Sequence, residues 1–151
     1  MQNDYKEKLN QFGILGFVTH GNSMWPLIKN KKTSVIVLKK EERLKVYDVA
    51  FYTRPNGEYV LHRVLELKDD GYIVCGDSQT DKEFVPEENV LGVLSGYYKG
   101  KTYIDCDSDE YKRAVEKWLC DPKRTDKIKR YYNRLKFRSR LIKLLTFGKR
   151  K

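Results

Sequence analysis

Between Gly16 and Asp105 the apolar residues come in short runs of strand length, and from Asp107 onward their spacing changes to that of a helix. Ser34-Val35-Ile36-Val37-Leu38 is the first clear run, rich in β-branched side chains. Asp48–Tyr52, Tyr59–Leu67, Tyr72–Cys75 and Asn89–Tyr98 follow, and Thr102–Asp105 completes a hairpin about Lys99-Gly100. Pro55-Asn56-Gly57 separates two of these runs, because proline presets φ and glycine accepts φ > 0. Asp69-Asp70-Gly71 joins the next two in the same manner. Strands this closely spaced predict an antiparallel, coiled β-sheet. Ahead of them, Asp4–Phe12 places Tyr5, Leu9 and Phe12 on one side of a short helix.

Past the sheet, Asp107 or Ser108 can cap a helix whose first turn holds Asp109 and Glu110. Tyr111, Val115, Trp118 and Leu119 form its apolar face, and Pro122 ends it. Thr125–Phe147 then reads as a long helix. Ile128, Tyr131, Tyr132, Leu135, Ile142 and Leu145 fall on one side, and Lys127, Arg130, Arg134, Arg138 and Arg140 crowd much of the rest. The expected architecture is mainly β, with a β domain over residues 1–107 and a basic helical extension over 108–151.

Charge sharpens that division. Residues 121–151 hold 13 Lys/Arg against two Asp, a net of +11, so the first 120 residues come to −1. The basic character belongs to the tail. Three widely spaced cysteines, Cys75, Cys106 and Cys120, contain no C-x-x-C, which argues against a metal site or a disulfide framework and for reduced thiols. No metal or cofactor is expected. Asp4 and Glu7 do not fit a signal peptide, and the apolar run Phe12–Val18 is far short of the roughly 20 residues that span a bilayer. A cytoplasmic location follows as the expectation.

Three segments carry candidate chemistry. Val18–Pro26 reads as a short strand that turns and presents Ser23. Tyr59–Val64 is a strand with His62 at its middle, and Cys75–Asp81 is a strand end followed by Asp77 and Asp81. Serine, histidine and aspartate are the three roles of nucleophilic acyl transfer. A serine hydroxyl needs a base within reach, and the chain offers His20 and His62. His62, flanked by Val60 and Val64 on its own face, is the more rigid of the two and the preferred base. Asp77 and Asp81 both remain candidates for orienting it. Cys75 is a rival nucleophile, although its place beside Gly76 suggests packing.

Those segments resemble the superfamily that joins type I signal peptidases with LexA-like self-cleaving repressors. Ser23-Met24-Trp25-Pro26 is similar to its nucleophile box. Lys45–Val49 is similar to its "x-G-D-I/V" strand, with Tyr47 where glycine is usual. His62-Arg63-Val64 resembles the general-base box of the endoplasmic-reticulum and spore-former types, where many bacterial members carry lysine. Gly76-Asp77 with Asp81, and Val90–Leu94, resemble the last two boxes. The match covers roughly residues 17–97. It implies a signal-peptidase/LexA-like β fold, Ser23 as nucleophile, and an oxyanion hole built from the Ser23 N–H and Gly21. Met24 and Pro26 would line the substrate site.

The resemblance implies a serine endopeptidase that cuts an extended peptide or a leader-like segment along the sheet edge. A LexA-like self-cleaving regulator is the alternative, but only 22 residues precede Ser23, too few for a DNA-binding domain. A catalytically silent binding module is a third reading. The basic tail, residues 121–151, suits an anionic membrane surface at the inner face, in preference to nucleic acid or an acidic peptide.

Overall fold

The structure, a computed structural model, describes residues 4–147. Asp4 caps the first helix, α1 (Tyr5–Phe12): its carboxylate accepts the Glu7 N–H at 3.1 Å, and Gly13 ends the helix in the left-handed region at φ +71°. Eight strands follow: β1 (Ile14–Val18), β2 (Thr33–Lys39), β3 (Val49–Thr53), β4 (Tyr59–Lys68), β5 (Gly71–Cys75), β6 (Glu83–Pro86), β7 (Val90–Lys99) and β8 (Thr102–Asp105). All pair antiparallel in the order β1-β2-β7-β3-β4-β5-β6, with β8 added on β7. The mainly β, antiparallel architecture with a helical C-terminal extension is therefore the observed one.

Both faces of the central strands are covered, so β3 is buried from Val49 to Tyr52 rather than alternating. One face gathers Ala50, Tyr52, Val60, Val64, Tyr72, Val74, Val85 and Val90. The other packs Leu15, Val37 and Phe51 against Leu9 of α1, with Tyr5, Phe17 and Tyr59 stacking around them. Phe12, expected beside Leu9, is instead 65% exposed at the helix end. Register shifts at Ile36/Val37, Phe51/Tyr52 and Val64/Glu66 mark bulges, which coil the sheet.

The chain divides into two compact units, residues 1–115 and 116–151, with the division inside helix α2 (Asp109–Leu119) and not at the expected 107. Tyr111 explains the shift. Its ring meets Tyr97 edge-on at 6.2 Å, and its hydroxyl accepts from the Arg63 guanidinium at 3.2 Å. In the second unit, helix α3 (Arg124–Phe147) begins with Arg124 over the Trp118 ring. Ile128 is buried, whereas Phe137, Leu141, Ile142, Leu144 and Leu145 are exposed. The apolar face expected from Ile128 to Leu145 is thus buried at Ile128 and open at Ile142 and Leu145. Among the described residues no helix is long and apolar enough to cross a membrane.

Candidate active site

His62 lies in the middle of β4, paired with Ala50 of β3, and shares its face with Val60, Val64 and Tyr52. Its side chain is only 4% exposed. Two oxygens meet Nδ1: the Tyr52 hydroxyl at 3.1 Å and Glu83 Oε1 at 3.2 Å. Tyr52 also donates to Glu83. Arg54 binds the same carboxylate at 2.8 and 3.3 Å and is held in turn by Glu58 at 2.9 Å. Burial lowers the His62 pKa from its ordinary 6.5, opposed by Glu83 and assisted by Arg54, which favours the neutral ring. Partial burial works to raise the Glu83 pKa, but hydrogen bonds from Arg54 and Tyr52 carry it below the ordinary range.

Ser23 belongs to the turn that follows β1. Gly21, at φ +96°, donates its N–H to Asn30 Oδ1 at 2.9 Å. Trp25 N–H bonds Asn22 O and Ile28 N–H bonds Met24 O, while Met24 and Ile28 are buried and anchor the turn. The Trp25–Pro26 peptide is cis. The turn is then tied to the far end of β5: Ser78 N–H donates to Ser23 O at 2.9 Å, and Ser78 Oγ donates to Asn22 O at 2.6 Å.

That tie fixes the Ser23 turn beside the end of β5, and among the described residues no hydrogen bond joins Ser23 to His62. The β4–β5 ladder pairs Arg63 with Cys75. Gly76 follows the last pair of that ladder. A Cβ on Gly76 would meet Ser23 O at 2.7 Å. The Ser23 turn therefore covers the place a side chain at 76 would fill. Gly76→Ala should push the turn away and cut hydrolysis at least tenfold, with the sheet retained. Unchanged kcat/KM in that variant would separate the turn's position from activity.

The same register places the other expected residues. Cys75 pairs with Arg63, on the face opposite to His62, and its thiol donates to Gly76 O and Gln79 O. Asp77 forms a two-pronged ion pair with Arg63, both bonds 2.7 Å and both side chains 1% exposed. Asp81 is exposed, as is His20. The carboxylate that meets the His62 ring is that of Glu83. Among the described residues Ser23 makes no side-chain hydrogen bond and its N–H has no acceptor, whereas the Gly21 N–H is committed to Asn30. Pro26 is half-buried. Among the described residues no cluster of three His, Cys, Asp or Glu forms that could hold a metal ion.

Glu83, Tyr52 and Arg54 are the site residues that sequence reasoning missed. Glu83 opens β6, a four-residue strand too short to show its alternation, yet Val85 two positions on is buried on the same face. Tyr47, where the resembling family has glycine, has φ +77°, the left-handed region that favours glycine. Its carbonyl accepts from Arg63 at 2.7 Å. No family model and no curated protein matches this chain.

Proposed function

We propose that the chain is a serine endopeptidase of the signal-peptidase/LexA-like kind, with Ser23 as nucleophile and His62 as general base. One observation supports this reading: the Ser23 turn is pinned over Gly76, just beyond the Arg63–Cys75 pair that ends the ladder beside the buried His62. Ser23 Oγ attacks the carbonyl carbon of the scissile amide while its proton passes to His62 Nε2. The Ser23 N–H donates to the oxygen as it gains negative charge. Collapse breaks the C–N bond, and the imidazolium returns its proton to the departing amine. Water, deprotonated by the same histidine, then hydrolyses the acyl ester. The substrate is a peptide in extended form, laid along the sheet beside Met24 and Pro26.

A fluorophosphonate that acylates active serines tests this directly. Mass mapping should find one adduct, on Ser23, and none in a His62→Ala protein. A fully inert protein would favour the silent binding module.

We also propose an anionic membrane surface as the partner of α3, at the cytoplasmic face of the inner membrane. Phe137, Leu141, Leu144 and Leu145 are exposed at i, i+4, i+7 and i+8, which is one helix face. Lys127, Arg130, Arg134, Lys136, Arg138, Arg140 and Lys143 surround it, all exposed. Each cation near such a surface contributes roughly 1 kcal/mol, screened within about a Debye length. The full chain should co-sediment with phosphatidylglycerol vesicles, less so as salt rises, and not with neutral ones. Leu141→Glu with Leu144→Glu should abolish binding while hydrolysis of a short soluble peptide persists. Binding to RNA or DNA with no vesicle binding would assign the tail to nucleic acid.

A further inference from the structure

We propose that Tyr52 and Glu83 act together to fix the tautomer of His62, holding the ring proton on Nδ1 and leaving the Nε2 lone pair for the nucleophile. This rests on the peptidase reading and names the residues that make its base competent.

The argument is one of donors and acceptors. A neutral imidazole has one N–H and one lone pair, and its surroundings decide which nitrogen carries which. Tyr52 has a single O–H. It is given to Glu83, because a carboxylate only accepts. The Tyr52 oxygen, 3.1 Å from Nδ1, is then left to accept from the ring. Glu83 Oε1, 3.2 Å from the same nitrogen, also accepts only. Two acceptors facing Nδ1 require a proton there. The opposite tautomer would set a ring lone pair against two oxygens beside a ring only 4% exposed, where the repulsion is poorly screened.

The sheet builds this arrangement. Ala50 pairs with His62 and Tyr52 with Val60, so Tyr52 and His62 occupy one face of adjacent strands at diagonal positions. Glu83 enters from the first residue of β6, and Arg54, one residue past β3, fixes its carboxylate through both oxygens. Glu58 holds Arg54 from the far side. Burial and the Glu83 charge keep the Tyr52 phenol protonated, so it remains a donor. The ionisable groups that act on His62 are thus Tyr52, Arg54 and Glu83, with Asp77 at longer range. Tyr52 and Glu83 are positioning residues, since neither touches the reacting atoms.

The test is ¹⁵N NMR of the imidazoles in the full-length protein above the titration range of histidine. Only His20 and His62 contribute, and His62→Gln assigns them. The expected result is a protonated Nδ1 and an unprotonated Nε2 on His62. In Glu83→Gln the Arg54 guanidinium takes the amide oxygen and the amide N–H turns toward Tyr52 and Nδ1, so a donor replaces an acceptor there and the ring proton should move to Nε2. There kcat should fall about 10²–10⁴-fold with KM little changed, as for other bases held in the wrong tautomer. The residual acid limb of kcat/KM should move to lower pH, because the carboxylate that favours imidazolium is gone. Tyr52→Phe keeps Glu83 as acceptor, so it should keep the tautomer and lose less than Glu83→Gln. A proton on Nε2 of wild-type His62 overturns the proposal, as does a Glu83→Gln protein whose tautomer and acid limb stay unchanged. The two readings fail separately. Protonated Nε2 in a protein whose Ser23 takes the fluorophosphonate removes the clamp and leaves the peptidase. Protonated Nδ1 with no Ser23 adduct supports the clamp and removes the peptidase.

Discussion

Ser23→Ala abolishes peptide hydrolysis and leaves the fold intact: this is the largest effect expected of any single substitution in the chain. In enzymes where nucleophile and base act as a unit, deleting either costs on the order of 10⁶ in kcat, and deleting both costs no more. His62→Ala should therefore match Ser23→Ala, and the double variant should be no slower than either. The stability outcomes differ. Ser23 makes no side-chain hydrogen bond among the described residues and is half-buried, so losing its hydroxyl should change unfolding free energy by less than about 0.5 kcal/mol. Losing the His62 ring opens a cavity and strips two acceptors of their donor, so that variant should melt lower. His20, exposed and outside the ladder, should be dispensable. Retained hydrolysis in Ser23→Ala would end the serine mechanism. An essential His20 with a dispensable His62 would move the base.

Most of this fold was legible because its strands announce themselves by runs and turns. Pro55-Asn56-Gly57 and Asp69-Asp70-Gly71 fixed two hairpins, and Lys99-Gly100 a third, at the junctions the structure has. Ser23 and His62 stood out since each is a reactive type set in a distinctive local pattern. What the sequence hid was the third partner of the pair. Asp77 follows Gly76 and looks like a site residue, but the ladder turns Arg63 and Asp77 toward each other, away from the His62 ring. Glu83 sits in a four-residue strand with no readable period, and its use depends on β6 lying beside β5. Tyr52 reads as one more apolar residue of β3 until its hydroxyl is seen between Nδ1 and a carboxylate. Cross-strand neighbours of this kind are set by register, which composition and spacing do not encode.

Asp77→Ala is expected to be the most destabilising substitution in the chain, and through stability rather than chemistry. Asp77 and Arg63 are each 1% exposed, joined by two bonds of 2.7 Å. Arg63 spends its remaining donors on Tyr47 O and the Tyr111 hydroxyl, and its guanidinium lies 5.9 Å from the Tyr111 ring centre. Removing the carboxylate leaves a cation buried with no counter-charge. Breaking such a pair costs roughly 3–5 kcal/mol, whereas replacing both partners by apolar residues of similar volume is often close to neutral. Denaturant unfolding should thus show a loss of about that size in Asp77→Ala and a smaller one in Arg63→Met with Asp77→Leu. Asp81→Ala, at an exposed site, should stay within about 0.5 kcal/mol. Hydrolysis should fall in Asp77→Ala as well, because Gly76 and Ser78 on either side of it hold the Ser23 turn. The order of the losses is what decides. If Asp77→Ala unfolds as the wild type does yet no longer cuts peptide, the aspartate acts on the histidine after all, and Glu83 does not fill its place.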